Sequence, residues 1–234
     1  MKTAIMQPYF LPYLGYFQLI AAVDCFVVYD TVQYTKKGWI NRNQMLRNGA
    51  AVMFSVPLQK DSDYLDIRAR KVATSFEPAK LCAQIAGAYH KSPQFGPTMA
   101  LIEAILHHPS DTLFDFIHHA LLRCCDHLGI TTRVLVASAV EGGPPALSAA
   151  DRVIDICQRT GASTYINPPG GRALYSAADF RARGLELQFL QPRLPVYRQF
   201  GDSFVPSLSI LDVMMFNTPE QIATDMLGEY DLAD

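Results

Sequence analysis

The sequence predicts an α/β fold of three layers (αβα), in which a parallel β-sheet lies between two layers of helices and carries a helical insertion. Both ends of the chain alternate strand patterns with helix patterns, whereas the middle is helical. Such alternation is typical of parallel sheets covered on both faces. The chain has 234 residues, of which 50% are hydrophobic. We therefore expect one domain, residues 1–234, with the insertion at about residues 76–128.

The start of the chain has the pattern of a strand, a loop, a helix and a second strand. The apolar run Thr3–Met6 predicts the first strand, and Gln7-Pro8 ends it. Apolar spacing over residues 14–23 favours a buried helix, and the β-branched and aromatic residues of 24–30 favour a strand. Such a βαβ unit implies parallel strands joined by a right-handed crossover.

The rest of the chain supplies the other strands and helices, after a polar and irregular segment at residues 31–49. Further strands are predicted over 51–58, 65–72, 131–140, 163–166 and 185–190. Helices are predicted over 76–90, 97–108, 111–128, 148–160, 174–182, 209–216 and 219–227. Ser110 is the expected N-cap of the helix over 111–128, and Gly129 and Gly161 are expected to end helices. Gly142-Gly143-Pro144-Pro145 predicts a loop.

Composition excludes several classes of function. The net charge is −2, which offers no broad basic field for nucleic acid or an anionic membrane. No apolar run approaches the roughly 18 residues of a membrane helix, and no signal peptide is predicted. The five cysteines are scattered, as expected of reduced thiols in a cytoplasmic protein. No metal site is evident, because adjacent histidines on a helix point about 100° apart.

The loop after the first strand is the first candidate site. In open parallel sheets, ligands bind beyond the carboxyl ends of the strands. Prolines stiffen this loop, a glycine permits close approach, and polar tips on rigid side chains can bind a ligand. The candidate substrate-binding residues are Gln7, Tyr9, Pro12, Gly15 and Tyr16. The alternative is a packed turn whose aromatic residues belong to the core.

The segment after the second strand is expected beside this loop. Asp30 is the candidate catalytic residue, as an acid, a base or a group that orients an amine. Gln33 and Asn41 offer amides, and Lys36 and Arg42 could hold an anion. The alternative is a solvated loop with scattered charges.

A third candidate segment precedes the helix predicted over 174–182. Its glycines could expose backbone N–H groups to an anion, although the pattern is neither a dinucleotide fingerprint nor a phosphate loop. The candidate binding residues are Asn167, Gly170, Gly171 and Tyr175. Near the C-terminus, Ser207 or Ser209 is expected to cap the next helix, or to face the site with Asp212.

With these segments described, the sequence resembles the WbqC-like protein family. The resemblance extends over nearly the whole chain, and residues 7–17 form its longest motif. The other segments that carry it are residues 24–30, Gln33, Lys36, residues 41–43, Tyr89, Tyr165, residues 167–175 and residues 204–212. The resemblance implies a bacterial protein of O-antigen, other surface-polysaccharide or secondary-metabolite biosynthesis. It implies a transferase that attaches an amino-acid or acyl group to an amino sugar.

A weaker analogy concerns the nucleotide-binding Rossmann-like fold of HUP proteins and nucleotidylyltransferases. The proline-containing turn before Leu14-Gly15-Tyr16-Phe17 is similar to their HIGH-type turn, but tyrosines and Phe17 replace its histidines. Because those histidines stabilise a transferring phosphoryl group, their absence favours a nucleotide-sugar or an acyl carrier over ATP. Fold analogy does not decide function.

These observations leave three hypotheses. The first is a transferase whose small-molecule substrate is a nucleotide-linked amino sugar; the others are an ATP-dependent adenylating ligase and a non-catalytic, ligand-binding partner of a biosynthetic enzyme. The sequence identifies no cofactor. It leaves open whether the protein forms a homo-oligomer.

Overall fold

The computed structural model describes residues 1–62, 64–142 and 147–233. Its strands are β1 (Lys2–Met6), β2 (Cys25–Val28), β3 (Arg42–Arg47), β4 (Ala50–Ser55), β5 (Arg133–Val136), β6 (Thr164–Asn167), β7 (Glu186–Pro192) and β8 (Tyr230–Ala233). Six of them form a sheet in the order β5-β2-β1-β6-β7-β8. All neighbours in this sheet are parallel except β8, which runs antiparallel to β7.

The helices cover both faces of the sheet. They are α1 (Leu14–Ala21), α2 (Pro78–Tyr89), α3 (Phe95–Leu106), α4 (Leu113–His127), α5 (Ala137–Val140), α6 (Ala149–Thr160), α7 (Ala177–Ala182), α8 (Ile210–Phe216) and α9 (Pro219–Asp225). Two 3₁₀ turns lie at Ile67–Ala69 and Pro169–Leu174. None of these helices is long and apolar enough to cross a membrane within the described part of the chain.

Alternate residues along the strands of the sheet belong to two separate hydrophobic clusters. Phe26 and Val28 pack with α1, the α2–α4 helices and α8, whereas Ile5 and Val27 pack with α6 and α7. Successive strand residues point to opposite faces, so both faces of the sheet must be covered. The chain is therefore a mixed α/β fold with a mostly parallel sheet, consistent with three αβα layers. That residues 1–234 form one domain stays a prediction.

The segment predicted as irregular, residues 31–49, contains an unexpected strand. Residues 42–47 form β3, which pairs antiparallel with β4 from Arg42↔Ser55 to Arg47↔Ala50. The hairpin turns at Asn48 and Gly49, whose φ angles are 52° and 74°. An Asn-Gly pair with both φ angles positive is the preferred two-residue hairpin turn. The Asn-Gly pair was visible in the sequence, but the polar residues around it led us to predict an irregular segment.

Three further predictions are wrong in detail. Residues 65–72 form a 3₁₀ turn at Ile67–Ala69 rather than a strand. The strand predicted over 131–140 ends at Val136, after which the chain turns into α5. The helix predicted over 174–182 is split, because the 3₁₀ turn ends at Leu174 and α7 begins at Ala177.

Helix ends were predicted more successfully than these strands. Ser148 caps α6 and Ser209 caps α8, and Gly161 ends α6 with a φ of 74°. Gly129 follows α4 with a φ of 68°. The N-cap of α4 is Thr112 instead of Ser110, since the Thr112 hydroxyl accepts the Asp115 N–H. β8 was not predicted, and the loop predicted over 142–145 lies, apart from its first residue, outside the described residues.

Candidate functional site

A cleft of about 830 Å³ opens beyond the carboxyl ends of β1, β2 and β6. The chain runs from β1 to β2 and β5 on one side, then returns to form β6 on the other side of β1. Strand order therefore reverses between β1 and β6. Ligands of open α/β sheets bind at such a reversal, because the loops diverge there and leave a crevice.

The cleft brings together predicted residues from all three candidate segments. The sequence-predicted residues that line it are Gln7, Tyr9, Gln33, Asn167, Gly170, Gly171 and Tyr175. Side-chain amides and phenols dominate this set, and both groups can donate and accept hydrogen bonds. The predicted residues that line the cleft are thus polar without being strongly charged.

The first loop holds Gln7 in one orientation. Its side-chain Nε2 donates to the hydroxyl of Tyr9 at 2.8 Å, and its backbone carbonyl accepts the hydroxyl of Tyr16 at 3.0 Å. Burial raises the pKa of both Tyr9 and Tyr16, so both phenols keep their protons at neutral pH. Tyr16 is buried and does not line the cleft, but its hydrogen bond helps to hold Gln7, which does.

The backbone of this loop is strained and clamped. Leu11 has a φ of 44°, which is unusual for a residue other than glycine. Asn43 Nδ2 donates to the carbonyls of Phe10 and Leu11 at 3.1 and 2.8 Å. The hydroxyl of Ser209 donates to the Leu11 carbonyl at 2.7 Å. Groups from β3 and from the α8 N-terminus therefore fix a conformation that the loop would not favour alone.

Gly15 and Pro12 act away from the large cleft. Gly15 lies in α1, and a Cβ there would stand 2.5 Å from a ring carbon of Tyr13. Its role is to let the Tyr13 ring rest on the helix, rather than to admit a ligand directly. Pro12 borders a second, smaller cavity.

The third segment presents a buried amide to the cleft. Asn167 is 5% exposed and its Oδ1 accepts the hydroxyl of Tyr165 at 3.1 Å. A Cβ on Gly171 would overlap Asn167 Nδ2, whereas a Cβ on Gly170 would meet open space. The glycine at 171 is therefore required by the close approach of the Asn167 side chain.

In the segment after β2, one predicted residue lines the cleft and another contacts a neighbouring helix. Gln33 lines the cleft, but Asp30 is 2% exposed and its Oδ1 accepts the backbone N–H of Ser138, in α5, at 2.9 Å. This contact gives the N-terminal turn of α5 a carboxylate partner. Asp30 does not line the cleft, and its catalytic role stays a prediction.

Asn41 and Arg42 support the β3–β4 hairpin. Asn41 accepts the Tyr34 hydroxyl and donates to the Val56 carbonyl, both at 2.8 Å. The Arg42 guanidinium donates to the carbonyls of Gly38 and Lys37 at 3.0 and 2.6 Å. Neither residue lines the cleft, nor does the exposed Lys36. Their roles as ligand contacts stay predictions.

Sequence reasoning missed the cation of the cleft. Arg152, in the first turns of α6, is the one Lys or Arg among the described residues that line it. Its guanidinium hydrogen-bonds Tyr29, and beside them Thr31 donates to Glu141 at 2.9 Å. The signal was available, since the start of a helix that follows a parallel strand lies at the carboxyl edge of the sheet.

The rim of the cleft carries two apolar side chains exposed to solvent. Tyr64 is 85% exposed and Leu174 is 70% exposed, and both line the cleft. Apolar side chains are the usual lining of small-molecule sites, so both can contact a ligand in the cleft. Neither was predicted as a site residue: Tyr64 lies between two predicted strands, and Leu174 lies at the start of a predicted helix.

Within the described residues, no group of three or more His, Cys, Asp or Glu side chains could hold a metal ion. All five cysteines are free and buried. Burial raises the pKa of Cys125 and of Cys157 to about 12, so these thiols are poor nucleophiles at neutral pH.

Comparison with known proteins identifies the family. The model of the WbqC-like protein family matches residues 7–224. The chain is also 30% identical over 220 residues to the protein named "Uncharacterized protein Rv1507c" from Mycobacterium tuberculosis (strain ATCC 25618 / H37Rv), covering 92% of this chain and 93% of that protein. No solved structure matches. The family match includes the described residues that line the cleft, apart from Ile5 and Met6, and the supporting residues on β3 and α8; the chain belongs to the WbqC-like protein family.

Proposed function

We propose that this protein is a transferase that attaches an amino-acid or acyl group to a nucleotide-linked amino sugar in surface-polysaccharide or secondary-metabolite biosynthesis. The observation that carries the proposal is the cleft of about 830 Å³ at the reversal of strand order. Pockets for drug-sized ligands span roughly 300–1,000 Å³, so the cleft can hold a nucleotide-linked sugar. The cytoplasm, where activated sugars are made, is the location we propose.

The polar lining suits the hydroxyl groups of a sugar. Three amides and three phenols reach the cleft: Gln7, Gln33, Asn167, Tyr9, Tyr29 and Tyr175. Each can donate to one hydroxyl and accept from another. Asn167 is the buried member of this set, and a buried polar group favours ligands that pair with it and penalises ligands that do not.

Arg152 suits the phosphate of such a substrate. A guanidinium remains charged at any physiological pH and can hold two phosphate oxygens at once. Its hydrogen bond with Tyr29 orients it in the cleft. Asp66 is the one acidic residue among the described lining residues, which leaves the lining close to neutral and able to accept an anion beside Arg152.

The topology supports a nucleotide-binding, Rossmann-like fold. Numbered by their order along the chain, the six strands of the sheet have the spatial order 3-2-1-4-5-6. Doubly wound sheets that bind dinucleotides have this order. We therefore propose a fold related to the HUP and nucleotidylyltransferase group, with tyrosines where the HIGH-type turn has histidines.

Calorimetric titration tests the proposal. UDP-glucosamine, UDP, ATP and free glucosamine are titrated into the wild type, Arg152→Ala and the control Arg159→Ala. Arg159 lies on the same helix but pairs with Asp155 at 2.8 Å on the surface. We expect the nucleotide-sugar to bind, and Arg152→Ala to weaken it about a hundredfold, or roughly 2.7 kcal/mol. The control should bind as the wild type does.

The adenylating ligase is the second candidate, because the same strand order also serves nucleotide binding in general. It predicts binding of ATP alone and release of pyrophosphate when a carboxylic acid is added. That result would contradict the sugar transferase. Absence of binding by all four compounds would contradict both and favour a non-catalytic partner protein.

A further inference from the structure

A second cavity, of about 240 Å³, lies beside the large cleft. Its lining residues are Tyr9, Pro12, Tyr13, Trp39, Asn43 and Ser207. Tyr9 lines both the cavity and the cleft. Occupants of the two spaces would therefore be neighbours across a single side chain.

The chemistry of this cavity differs from that of the cleft. Three of its side chains are aromatic, and the described lining includes no Asp, Glu, Lys, Arg or His. Asn43 and Ser207 add neutral polar groups. A space without charge and with aromatic walls suits a small neutral group that combines an apolar part with a carbonyl. At about 30 Å³ per water molecule, it holds on the order of eight waters.

The residues around this cavity are held under strain. Ser207 has a φ of 57°, and Leu11, next to Pro12, has a φ of 44°. Trp39 is tied to the first loop, since its carbonyl accepts the Phe10 N–H at 3.2 Å. Left-handed conformations at residues other than glycine persist where the surroundings impose them, and they gather at ligand sites.

Two apolar features make the cavity open to a ligand. Trp39, which lines the cavity, is 40% exposed. Gly15 allows the Tyr13 ring to lie back against α1, because a Cβ there would displace it. Both features keep aromatic surface at the edge of the cavity rather than filling it.

We propose that this cavity binds the acyl end of a neutral thioester donor and holds it beside the sugar in the cleft. The inference rests on the proposed transferase function. In the transfer, the sugar amine attacks the acyl carbon, so a C–N bond forms and the C–S bond breaks. The sulfur leaves with the electron pair of that bond and takes up the proton lost by the amine.

Tyr9 is the residue at the boundary that can act on both substrates. Its hydroxyl accepts the Gln7 amide at 2.8 Å, which leaves its own proton available to a ligand. Donation to the acyl oxygen would stabilise the charge that develops there during attack. The Gln7 contact thus positions the Tyr9 hydroxyl between the two subsites.

Fluorescence of Trp39 tests the inference directly, because Trp39 is the one tryptophan of the chain. The S-acetyl and S-butyryl thioesters of N-acetylcysteamine are titrated into the full chain, with N-acetylcysteamine alone as the reference. We expect saturable changes in emission with both thioesters and not with the free thiol. In calorimetry, Trp39→Ala should weaken thioester binding about tenfold or more.

Met53→Ala is the matched control, since Met53 is a large apolar residue of similar exposure, 43%, that lies on β4. It should bind the thioesters as the wild type does. Arg152→Ala should also retain thioester binding, because Arg152 lines only the cleft.

The outcomes separate this inference from the proposed function. Nucleotide-sugar binding without any thioester signal would overturn the acyl subsite and leave the transferase proposal standing. If Arg152→Ala abolished thioester binding, or if thioesters bound without changing Trp39 emission, the donor would be assigned to the cleft. Either result would also overturn the acyl subsite. Thioester binding without nucleotide-sugar binding would support the subsite and contradict the proposed acceptor.

Discussion

The hydroxyl of Tyr165 donates to Oδ1 of Asn167 at 3.1 Å and thereby holds that buried amide in place. The side-chain nitrogen of Asn167 then lies against Gly171, at the floor of the cleft. One buried phenol therefore holds the amide against the glycine. This arrangement makes the glycine at 171 testable independently of its neighbour at 170.

Gly171→Ala should weaken sugar-nucleotide binding about tenfold and destabilise the fold by about 1–3 kcal/mol, because the added Cβ overlaps Asn167 Nδ2. Calorimetry and chemical denaturation measure the two effects. Gly170→Ala is the control for stability, since its Cβ would meet open space. It should change the free energy of unfolding by less than about 0.5 kcal/mol. Equal stability of the two variants would show that the Asn167 side chain is not held as described.

Much of this site follows from local signals in the sequence. The βαβ unit was predictable because its apolar residues recur at short, regular intervals. The position of the site at the carboxyl ends of the strands followed from that unit. The place of Arg152 at the edge of the sheet could have been predicted, but its hydrogen bond with Tyr29 depends on how α6 packs against the sheet. Arg42 was expected to meet an anion, but it donates to the carbonyls of Lys37 and Gly38, in the turn just before β3. Such turn contacts leave no periodic pattern.

The catalytic prediction for Asp30 is separable from its structural contact. In Asp30→Asn, the amide oxygen can still accept the Ser138 N–H, so the fold should be retained. If Asp30 is the base, kcat should fall about 10²–10⁴-fold with little change in KM. The assay follows transfer between UDP-glucosamine and an acyl thioester.

Asp30→Ala removes the Ser138 contact as well and should add a loss of stability of about 1–3 kcal/mol. If Asp30→Asn kept full kcat while only Asp30→Ala lost stability, the role of Asp30 would be to support α5 and not to act as a base.

Asn43 and Ser209 share one acceptor, the carbonyl of Leu11, at 2.8 and 2.7 Å. Because both hold the same strained residue, their effects on stability should not be additive. Each alanine variant should cost about 1–3 kcal/mol, and the double variant should differ from the sum by about 0.5–3 kcal/mol. Denaturant unfolding of the four proteins gives the coupling. Simple additivity would mean that each side chain stabilises the loop independently.

Asp212 gives a prediction about pH. This carboxyl is fully buried and accepts from Tyr89, Tyr197 and Gln199 at 2.8, 2.6 and 2.6 Å. Burial raises its pKa above the ordinary value of 3.8, although the three donors oppose the shift. The folded state therefore binds this proton more tightly than the unfolded state does, and the stabilisation from protonation is present below pH 3.8 and lost as pH rises through the folded pKa.

Comparison with Asp212→Asn isolates this effect from the other titrating groups. The free energy of unfolding of the wild type minus that of the variant should fall as pH rises above about 3.8, and then become constant once Asp212 is ionised in both states. Urea denaturation at intervals from pH 3.5 to about 8 measures it, with Asp202→Asn, at an exposed position, as the control. A difference that instead grows with pH would mean that the three donors outweigh burial and lower the pKa.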